Sequence, residues 1–279
     1  MVDSQHPKAS GTRRLVHKYQ GTGNDFVLLD ERAGGRIPTA AEARTLCDRH
    51  YGVGADGVLT VLPGRGGARA RLHITNADGT VPEMCGNGLR CVALFLSGGE
   101  RTEEFVIDTD AGPRRCTVDG AQRSVTLSMG RVRLGAEAGL PAAATWDVDG
   151  RPVRGLAVDV GNPHLVLDGT PPESTEAERL GGRLVHAPGF PRGTNVEWVM
   201  RDDGGLRVLV HERGVGLTLA CGTGAVASAF AARAWGWVSL DGPGVRVSLP
   251  GGALRIGLGP GGEATLTGPA ERVFTAELG

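Results

Sequence analysis

The stretch EMCGNGLR, residues 83–90, places Cys85 directly before two spaced glycines and an apolar run. This order is typical of a helix that begins just after the cysteine, with the apolar run supplying its buried face. The pattern recurs as CGTGA at residues 221–225, so that Cys85 and Cys221 are 136 positions apart. Two matched thiols at two helix starts predict a chain built from two similar halves.

The repeated position of the thiols also indicates a chemistry. A helix N-terminus has backbone N–H groups without intrahelical partners and a partial positive charge, and both favour a thiolate or a bound anion. Because Gly86 and Gly222 lack side chains, a carboxylate could be held against bare backbone at both helix starts. Inversion at a carbon that bears hydrogen needs one base and, on the opposite face, one acid. We therefore predict that Cys85 and Cys221 form an acid/base pair.

The remaining cysteines fit a simpler role. Free cysteine most often behaves as a small core hydrophobe, and we assign Cys47, Cys91 and Cys116 to the core because no repeated pattern surrounds them. Cys47 with His50 is too small a set for a zinc site, and we expect no bound metal. Packing alone gives no reason for glycine to follow both of the other sulfurs, which favours chemistry there.

Composition limits the possible functions. The 279 residues include 46 glycines and only 4% aromatic residues, which predicts many short strands joined by tight turns. The net charge of −1 argues against nucleic-acid partners and anionic membranes. Lysine occurs only at Lys8 and Lys18, within the first twenty residues, which leaves no lysine in the body of the chain to bind pyridoxal phosphate. We expect no cofactor.

The polar N-terminal residues and the spacing of the cysteines favour a cytoplasmic location. Residues 1–14 are polar and lack the apolar segment of a signal peptide, and the most apolar predicted helix is interrupted by Arg233, well short of a membrane span. Five cysteines without the spacing of a disulfide framework fit a reducing compartment. These features predict a cytoplasmic protein without membrane partners.

The boundary between the halves is predicted from composition and spacing. Residues 131–149 are rich in alanine and glycine, and we expect this looser stretch to cross into the second half. Two glycine pairs repeat near the cysteine offset, Gly112 with Gly252 and Gly130 with Gly268. We assign residues 1–130 plus 270–279 to an N-terminal half that contains Cys85, and residues 131–269 to a C-terminal half that contains Cys221.

With these features identified, the chain resembles the diaminopimelate epimerase family from about Leu15 to its C-terminus. The resemblance rests on seven motifs: GTGNDFVLLD (21–30), RHYGVGADGVL (49–59), NADGTVPEMCGNGLRC (76–91), GNPHLV (161–166), TNVEWV (194–199), ERGVGLTLACGTGA (212–225) and LPGG (249–252). It implies an α/β fold of the α+β type, with two pseudo-twofold-related domains and a cleft between them. In each domain a mostly antiparallel sheet wraps around a central helix. It also implies a cofactor-independent epimerase, expected as a homodimer, that interconverts LL- and meso-diaminopimelate.

The resemblance implies a role for each matching residue. Cys85 and Cys221 are the acid/base thiols, and His164 and Glu212 stand beside them, where they could orient a sulfur or hold the substrate ammonium. Substrate-binding residues are expected at both ends of the substrate: Asn24, Asn76, Gly86, Asn87, Asn162, Asn195, Glu212, Arg213, Gly222 and Thr223. Among these, the backbone after each cysteine holds the reacting carboxylate, and Arg213 with Asn76, Asn162 and Asn195 grips the far amino-acid end.

Alternatives remain open at this point. The chain could be a racemase of another amino acid, such as a basic one, on the same scaffold, or a binding module in which the cysteines serve packing or redox sensing. The presence of both thiols, both glycine pairs and Arg213 disfavours the binding module. His164 could be a satisfied strand-end histidine, and each asparagine alone could be an ordinary turn residue.

Overall fold

The computed structural model describes residues 14–82, 84–142, 144–259 and 263–278. Lys8 and Glu83, which the sequence analysis used, lie outside these ranges. The described residues form eighteen strands and four α-helices. In chain order the elements are β1 (Arg14–Gly21), β2 (Asn24–Asp30), α1 (Ala40–Cys47), β3 (Gly57–Pro63), β4 (Ala70–Asn76), α2 (Gly86–Ser97), β5 (Glu103–Thr109), β6 (Arg114–Asp119), β7 (Ser124–Gly130), β8 (Arg133–Leu134), β9 (Thr145–Val148), β10 (Arg151–Asp159), β11 (Pro163–Asp168), α3 (Ser174–Leu184), β12 (Asn195–Asp202), β13 (Gly205–Glu212), β14 (Gly216–Thr218), α4 (Gly222–Ala234), β15 (Val245–Leu249), β16 (Gly252–Leu258), β17 (Ala264–Pro269) and β18 (Glu271–Leu278).

The order of strand pairing occurs twice. From β2 to β7, neighbouring strands pair parallel, antiparallel, parallel, antiparallel and antiparallel. The strands β11, β12, β13, β15, β16 and β17 pair in the same sequence of directions. The equivalent strands β7 and β17 pair antiparallel with each other, as a twofold relation between the repeats requires. The fold class predicted from the sequence is confirmed.

The eighteen strands join into one continuous sheet, and each long apolar helix packs inside one repeat of it. Strands β1–β4, β6, β7 and β18 contact α2, whereas β10–β13 and β15–β17 contact α4. Every α2 residue except Phe95 is buried, as is every α4 residue from Gly222 to Ala232. One apolar cluster includes residues from both helices, so the two repeats share a core. The packing fixes the helix axes and therefore the direction in which their N-termini point.

Local signals in the sequence set the helix ends. From the sequence, Thr39 and Glu42 predict a capping box that opens a helix running to about His50, and the doubled glycine at 98–99 predicts the end of the helix that follows Cys85. The capping box is present and opens α1. The helix ends at Cys47, earlier than the predicted end near His50, because the Asp48 carboxylate accepts hydrogen bonds from the backbone N–H groups of His50 and Tyr51. Gly98, in the left-handed conformation with φ +72°, ends α2 at the predicted doubled glycine.

The expectation of a loose stretch at residues 131–149 was incomplete. It contains β8, a 3₁₀-helix at Gly135–Ala138 and the strand β9. Trp146 is buried and packs on Phe190, with 5.7 Å between ring centroids, while Thr145 and Asp147 on either side are exposed. One large aromatic residue therefore anchors a strand whose flanking alanines and glycines gave no apolar pattern. No helix within the described ranges is long and apolar enough to cross a membrane.

Candidate active site

Cys85 and Cys221 occupy the same position at the starts of α2 and α4. Each is the N-cap residue with extended backbone, at φ −138°, ψ 101° for Cys85 and φ −117°, ψ 116° for Cys221. Each Sγ accepts a hydrogen bond from the backbone N–H three residues later, Gly88 N at 3.4 Å and Gly224 N at 3.4 Å. The sulfurs thus take the place that a serine or aspartate oxygen fills in an ordinary helix cap.

The two helix N-termini meet. A methyl group at Gly222 would lie 3.7 Å from Gly86 Cα, and one at Gly86 would lie 4.0 Å from Gly222 Cα. The first turns of both helices therefore direct their unpaired N–H groups and partial positive charge toward one small region. The sequence predicted two anion-binding helix starts, and the tertiary structure brings them together as one site.

Burial governs the protonation of both thiols. It raises the pKa of Cys85, and the Glu212 carboxylate raises it further, whereas the Gly88 N–H lowers it. Burial raises the pKa of Cys221 well above the ordinary 9.0, again with contributions from Glu212 and Glu197, against the opposing hydrogen bonds of Thr223 and Gly224. The helix N-terminus favours the thiolate, as the sequence analysis expected, but desolvation outweighs it.

Glu212 lies close enough to both thiols to affect both pKa values. It is the last residue of β13, and its Oε1 accepts a hydrogen bond of 2.7 Å from Thr218 Oγ1 on the paired strand β14. This contact fixes the position of the carboxylate. Of the predicted residues, Glu212 is the one whose charge acts on both sulfurs.

His164 is connected to Cys221 through two other side chains. Its side chain is fully buried in β11, with Nδ1 2.7 Å from Glu197 Oε1 and Nε2 donating to Asn162 Oδ1 at 3.0 Å. Asn162 Nδ2 donates to Thr223 Oγ1 at 3.5 Å, and that oxygen lies 3.5 Å from Cys221 Sγ. Because His164 has no exposed surface, its contact with the site runs through Asn162 and Thr223.

Asn87 connects the repeats. Its Nδ2 donates to the carbonyl of Ala220, the residue before Cys221, at 3.0 Å, and its Oδ1 accepts from Thr22 Oγ1 at 3.3 Å. Asn24 pairs with Gly21 in the same β1–β2 hairpin, and within the described ranges its buried Oδ1 lacks a hydrogen-bond partner. Both asparagines therefore lie around the hairpin that borders the thiol loops.

The residues expected at the far end of the substrate are only partly assembled. Asn195 Oδ1 accepts from Arg213 N at 2.9 Å, and Asn195 is the β12 neighbour of His164. The Arg213 guanidinium donates to the Arg192 carbonyl at 3.0 Å. Asn76 ends β4 and donates to Thr80 Oγ1 at 3.0 Å within its own turn. Its role at the substrate stays a prediction.

Two buried charged residues were not assigned a role from the sequence. Arg90 is fully buried on α2, where Nη2 donates to Thr22 Oγ1 and Nε to the Pro269 carbonyl, each at 3.0 Å. Glu197 is fully buried on β12. A signal was available in both cases. Arg90 is the single charge in an apolar helix, and Glu197 shares a strand face with Asn195 in an otherwise apolar run.

Lys18 is the one lysine among the described residues. It is 7% exposed and forms an ion pair with Asp25 at 2.5 Å, so the folded core contains a lysine, contrary to the expectation from the sequence. Among the residues that the structure describes, no three His, Cys, Asp or Glu side chains are grouped to hold a metal ion.

Comparison with known proteins gives consistent matches. The family model described as diaminopimelate epimerase matches residues 16–135 and 156–273. A diaminopimelate epimerase from Gloeothece citriformis is 41% identical over 280 residues, covering 92% of this chain and 96% of that protein. One from Rhizorhabdus wittichii is 43% identical over 271 residues, covering 94% of each.

Solved structures match in fold at lower identity. A probable proline racemase from Agrobacterium radiobacter K84, with bound carbonate, superposes with a TM-score of 0.69 at 18% identity, covering 96% of this chain and 93% of that one. A hydroxyproline epimerase from Agrobacterium vitis, with bound trans-4-hydroxy-L-proline, has a TM-score of 0.69 at 20% identity, covering 96% and 91%. At these identities the matches establish the shared fold.

Proposed function

Because this chain belongs to the diaminopimelate epimerase family and is an isomerase, we propose that it interconverts LL- and meso-diaminopimelate with Cys85 and Cys221 as the two acid/base groups. The observation that carries the proposal is the meeting of the two cysteine-capped helix starts, with Gly86 and Gly222 in contact. One substrate carboxylate bound there would have a thiol beside it from each repeat. A carbon attached to that carboxylate could then be approached from both faces.

The proposed reaction conserves protons. The thiolate of one cysteine removes the α-hydrogen, and the electron pair left on carbon is delocalised into the carboxylate. The thiol of the other cysteine donates its proton to the opposite face, which inverts the centre and exchanges the roles of the two sulfurs. Because negative charge moves onto the carboxylate, the N–H groups of Gly86, Asn87, Gly222 and Thr223 stabilise the transition state more than the bound substrate.

Burial of the thiols has a consequence for pH. Since burial raises the pKa of both Cys85 and Cys221, the free enzyme reaches the form with one thiolate and one thiol on the alkaline side of neutrality. The proposal therefore includes an alkaline optimum for kcat/KM. Activity rises as the first thiol ionises and falls when the second does.

The distal part of the substrate is assigned to the second repeat. Arg213 and Asn195 are joined by a hydrogen bond, and Asn195 lies beside His164 on the neighbouring strand. We assign the distal carboxylate to the Arg213 guanidinium and the distal amine to Asn162 and Asn195. A second amino-acid centre of this kind distinguishes diaminopimelate from a simple basic amino acid.

The test is incubation with LL-diaminopimelate in deuterated water, with NMR at the α position and chiral analysis of the product. We expect deuterium at one inverted centre in wild type and none in Cys85→Ala or Cys221→Ala, with thermal melting close to wild type. Serine variants should bind substrate without turnover, since a hydroxyl is a far weaker acid than a thiol. Wild-type turnover in either alanine variant would contradict the two-thiol reaction.

The proposed assembly is a homodimer in the cytoplasm. Leu15 on β1 and Val273 and Phe274 on the paired strand β18 are 51%, 57% and 42% exposed. Exposed apolar side chains on two adjacent strands fit a contact with a second copy. A thiol pair that must stay reduced fits a reducing compartment. Sedimentation of wild type as a dimer and of Phe274→Glu as a monomer is expected, and a monomeric wild type would exclude this assembly.

A further inference from the structure

Glu197 is a buried carboxylate that the reaction above leaves without a role. Its side chain has no exposed surface, and it contacts the ring of His164 through Oε1 at 2.7 Å. Its second oxygen, Oε2, has no hydrogen-bond partner among the residues that the structure describes. Removing a carboxyl group from water without satisfying it is costly, and such groups in native proteins usually serve a purpose.

The hydrogen on one nitrogen of His164 can be placed from its contacts. Nε2 lies 3.0 Å from Asn162 Oδ1, an atom that can only accept, so Nε2 carries a hydrogen. The other nitrogen, Nδ1, lies 2.7 Å from Glu197 Oε1. Burial raises the pKa of Glu197, whereas the contact with His164 lowers it.

The hydrogen on His164 Nε2 determines the direction of the next two hydrogen bonds, from Asn162 to Thr223 and from Thr223 to Cys221. With Oδ1 occupied by His164, the Asn162 amide donates from Nδ2 to Thr223 Oγ1 at 3.5 Å. Because Thr223 Oγ1 accepts there, its own hydrogen is available to Cys221 Sγ, 3.5 Å away. A chain of donors therefore runs from the buried pair to one catalytic sulfur. Its direction favours the thiolate of Cys221.

Glu197 is also close to the start of α4. A methyl group at residue 224 would lie 2.8 Å from Glu197 Oε1, so the carboxylate packs directly against Gly224, whose N–H binds Cys221 Sγ. At Cys85 the equivalent glycine is Gly88, and the residue packed against it is the apolar Leu59, whose Cδ2 would lie 2.7 Å from a methyl group at residue 88. The equivalent of Thr223 is Asn87, whose side chain is bonded to Ala220 and Thr22. The arrangement therefore acts on one thiol of the pair.

Building on the two-thiol reaction, we propose that Glu197 is a positioning residue that sets the proton affinity of Cys221, and not of Cys85, through His164, Asn162 and Thr223. Three titratable groups face Glu197: His164 on β11, Glu212 at the end of β13 and Cys221 at the start of α4. Glu212 acts on both thiols. Glu197 therefore makes the two sulfurs different.

Glu197→Gln tests the proposal because it keeps the shape of the side chain and its reach to His164 while removing the carboxylate. Alkylation by iodoacetamide without substrate, followed by peptide mass spectrometry, measures each cysteine in the same molecules. The carboxylate of Glu197 raises the pKa of Cys221, whereas the Thr223 donor lowers it and remains in this variant. We therefore expect the pH of half-maximal labelling of Cys221 to fall by about one unit, with Cys85 unchanged. Below both midpoints, labelling of Cys221 should increase about threefold, because a thiolate of lower pKa is more abundant but less nucleophilic.

A matched control and a second variant complete the design. Ser228 is buried on the same helix, and Ser228→Ala should leave both midpoints at their wild-type values. Thr223→Val removes the hydroxyl donor and should raise the Cys221 midpoint, whereas Thr223→Ser should restore it. If Glu197→Gln does not fold, an unchanged Cys221 midpoint in Thr223→Val overturns the proposed route, because that route reaches the sulfur through the Thr223 hydroxyl.

The pH profile of kcat/KM gives an independent readout. One of its two limbs should shift in Glu197→Gln, and neither limb should shift in Ser228→Ala. Unchanged labelling of Cys221 together with an unchanged profile would overturn the inference, as would equal shifts at both cysteines. Labelling needs no substrate and therefore does not depend on the proposed reaction. If the labelling midpoint shifts only at Cys221 while the pH profile of kcat/KM stays unchanged, the role of Glu197 is retained and the two-thiol reaction is refuted.

Discussion

Gly86→Ala separates the requirements of the fold from those of the proposed reaction. The atoms nearest to an added methyl group would be Gly222 Cα and Met129 Cε, both at 4.0 Å, which is ordinary contact distance. The fold should therefore accept alanine, and helix propensity should increase stability by up to about 1 kcal/mol. The same methyl group would project between the two helix starts, where we place the reacting carboxylate. Displacing that group by about 1 Å predicts a loss of about 100-fold in kcat/KM, or about 2.7 kcal/mol.

The assay combines thermal melting with α-hydrogen exchange in deuterated water. Gly182→Ala is the matched control, because this exposed glycine of α3 has no atom within 4 Å of the added methyl group. It should gain similar stability and keep full activity. Gly88→Ala, whose methyl group would lie 2.7 Å from Leu59 Cδ2, should lose both. A folded Gly86→Ala enzyme with wild-type kcat/KM would refute the placement of the carboxylate.

Three further predictions test specificity, protonation and cofactor use. Arg213→Met should reduce the preference for diaminopimelate over lysine in kcat/KM, because only a substrate with the distal carboxylate can form an ion pair with the guanidinium. An unchanged preference would place recognition of that carboxylate elsewhere. Burial raises the pKa of Cys91 from 9.0 to about 12, so only the unfolded chain releases this proton as the pH rises from 9 to 11. In wild type the unfolding free energy should therefore fall between pH 9 and 11, and Cys91→Ala should make this fall smaller by about 1.4 kcal/mol per pH unit in denaturant titrations. An identical dependence of the unfolding free energy on pH in the two proteins would contradict the burial of Cys91. Activity should survive dialysis against EDTA, and a loss reversed by added metal would exclude the cofactor-independent scheme.

The sequence by itself predicted the elements that depend on neighbouring residues. The caps at Thr39, Cys85 and Cys221 and the stop at Gly98 were readable because each is decided within a few positions of the chain. The repeat of the cysteine–glycine motif predicted two similar halves, and the pairing order of the strands follows that repeat. Trp146 shows the limit of this approach, because its strand is stabilised by Phe190, more than forty residues away.

Only the tertiary structure decided how the parts act on one another. Gly86 and Gly222 are far apart in the chain, and they come together because the two repeats of one continuous sheet pack around two helices. The same packing removes both thiols from water, so that desolvation outweighs the helix dipole, an outcome that no local pattern reveals. It also brings Glu197 into contact with His164 on the neighbouring strand, and so connects Glu197 to Cys221. Burial and long-range contact are properties of the folded chain, whereas a sequence motif specifies only the groups that can take part.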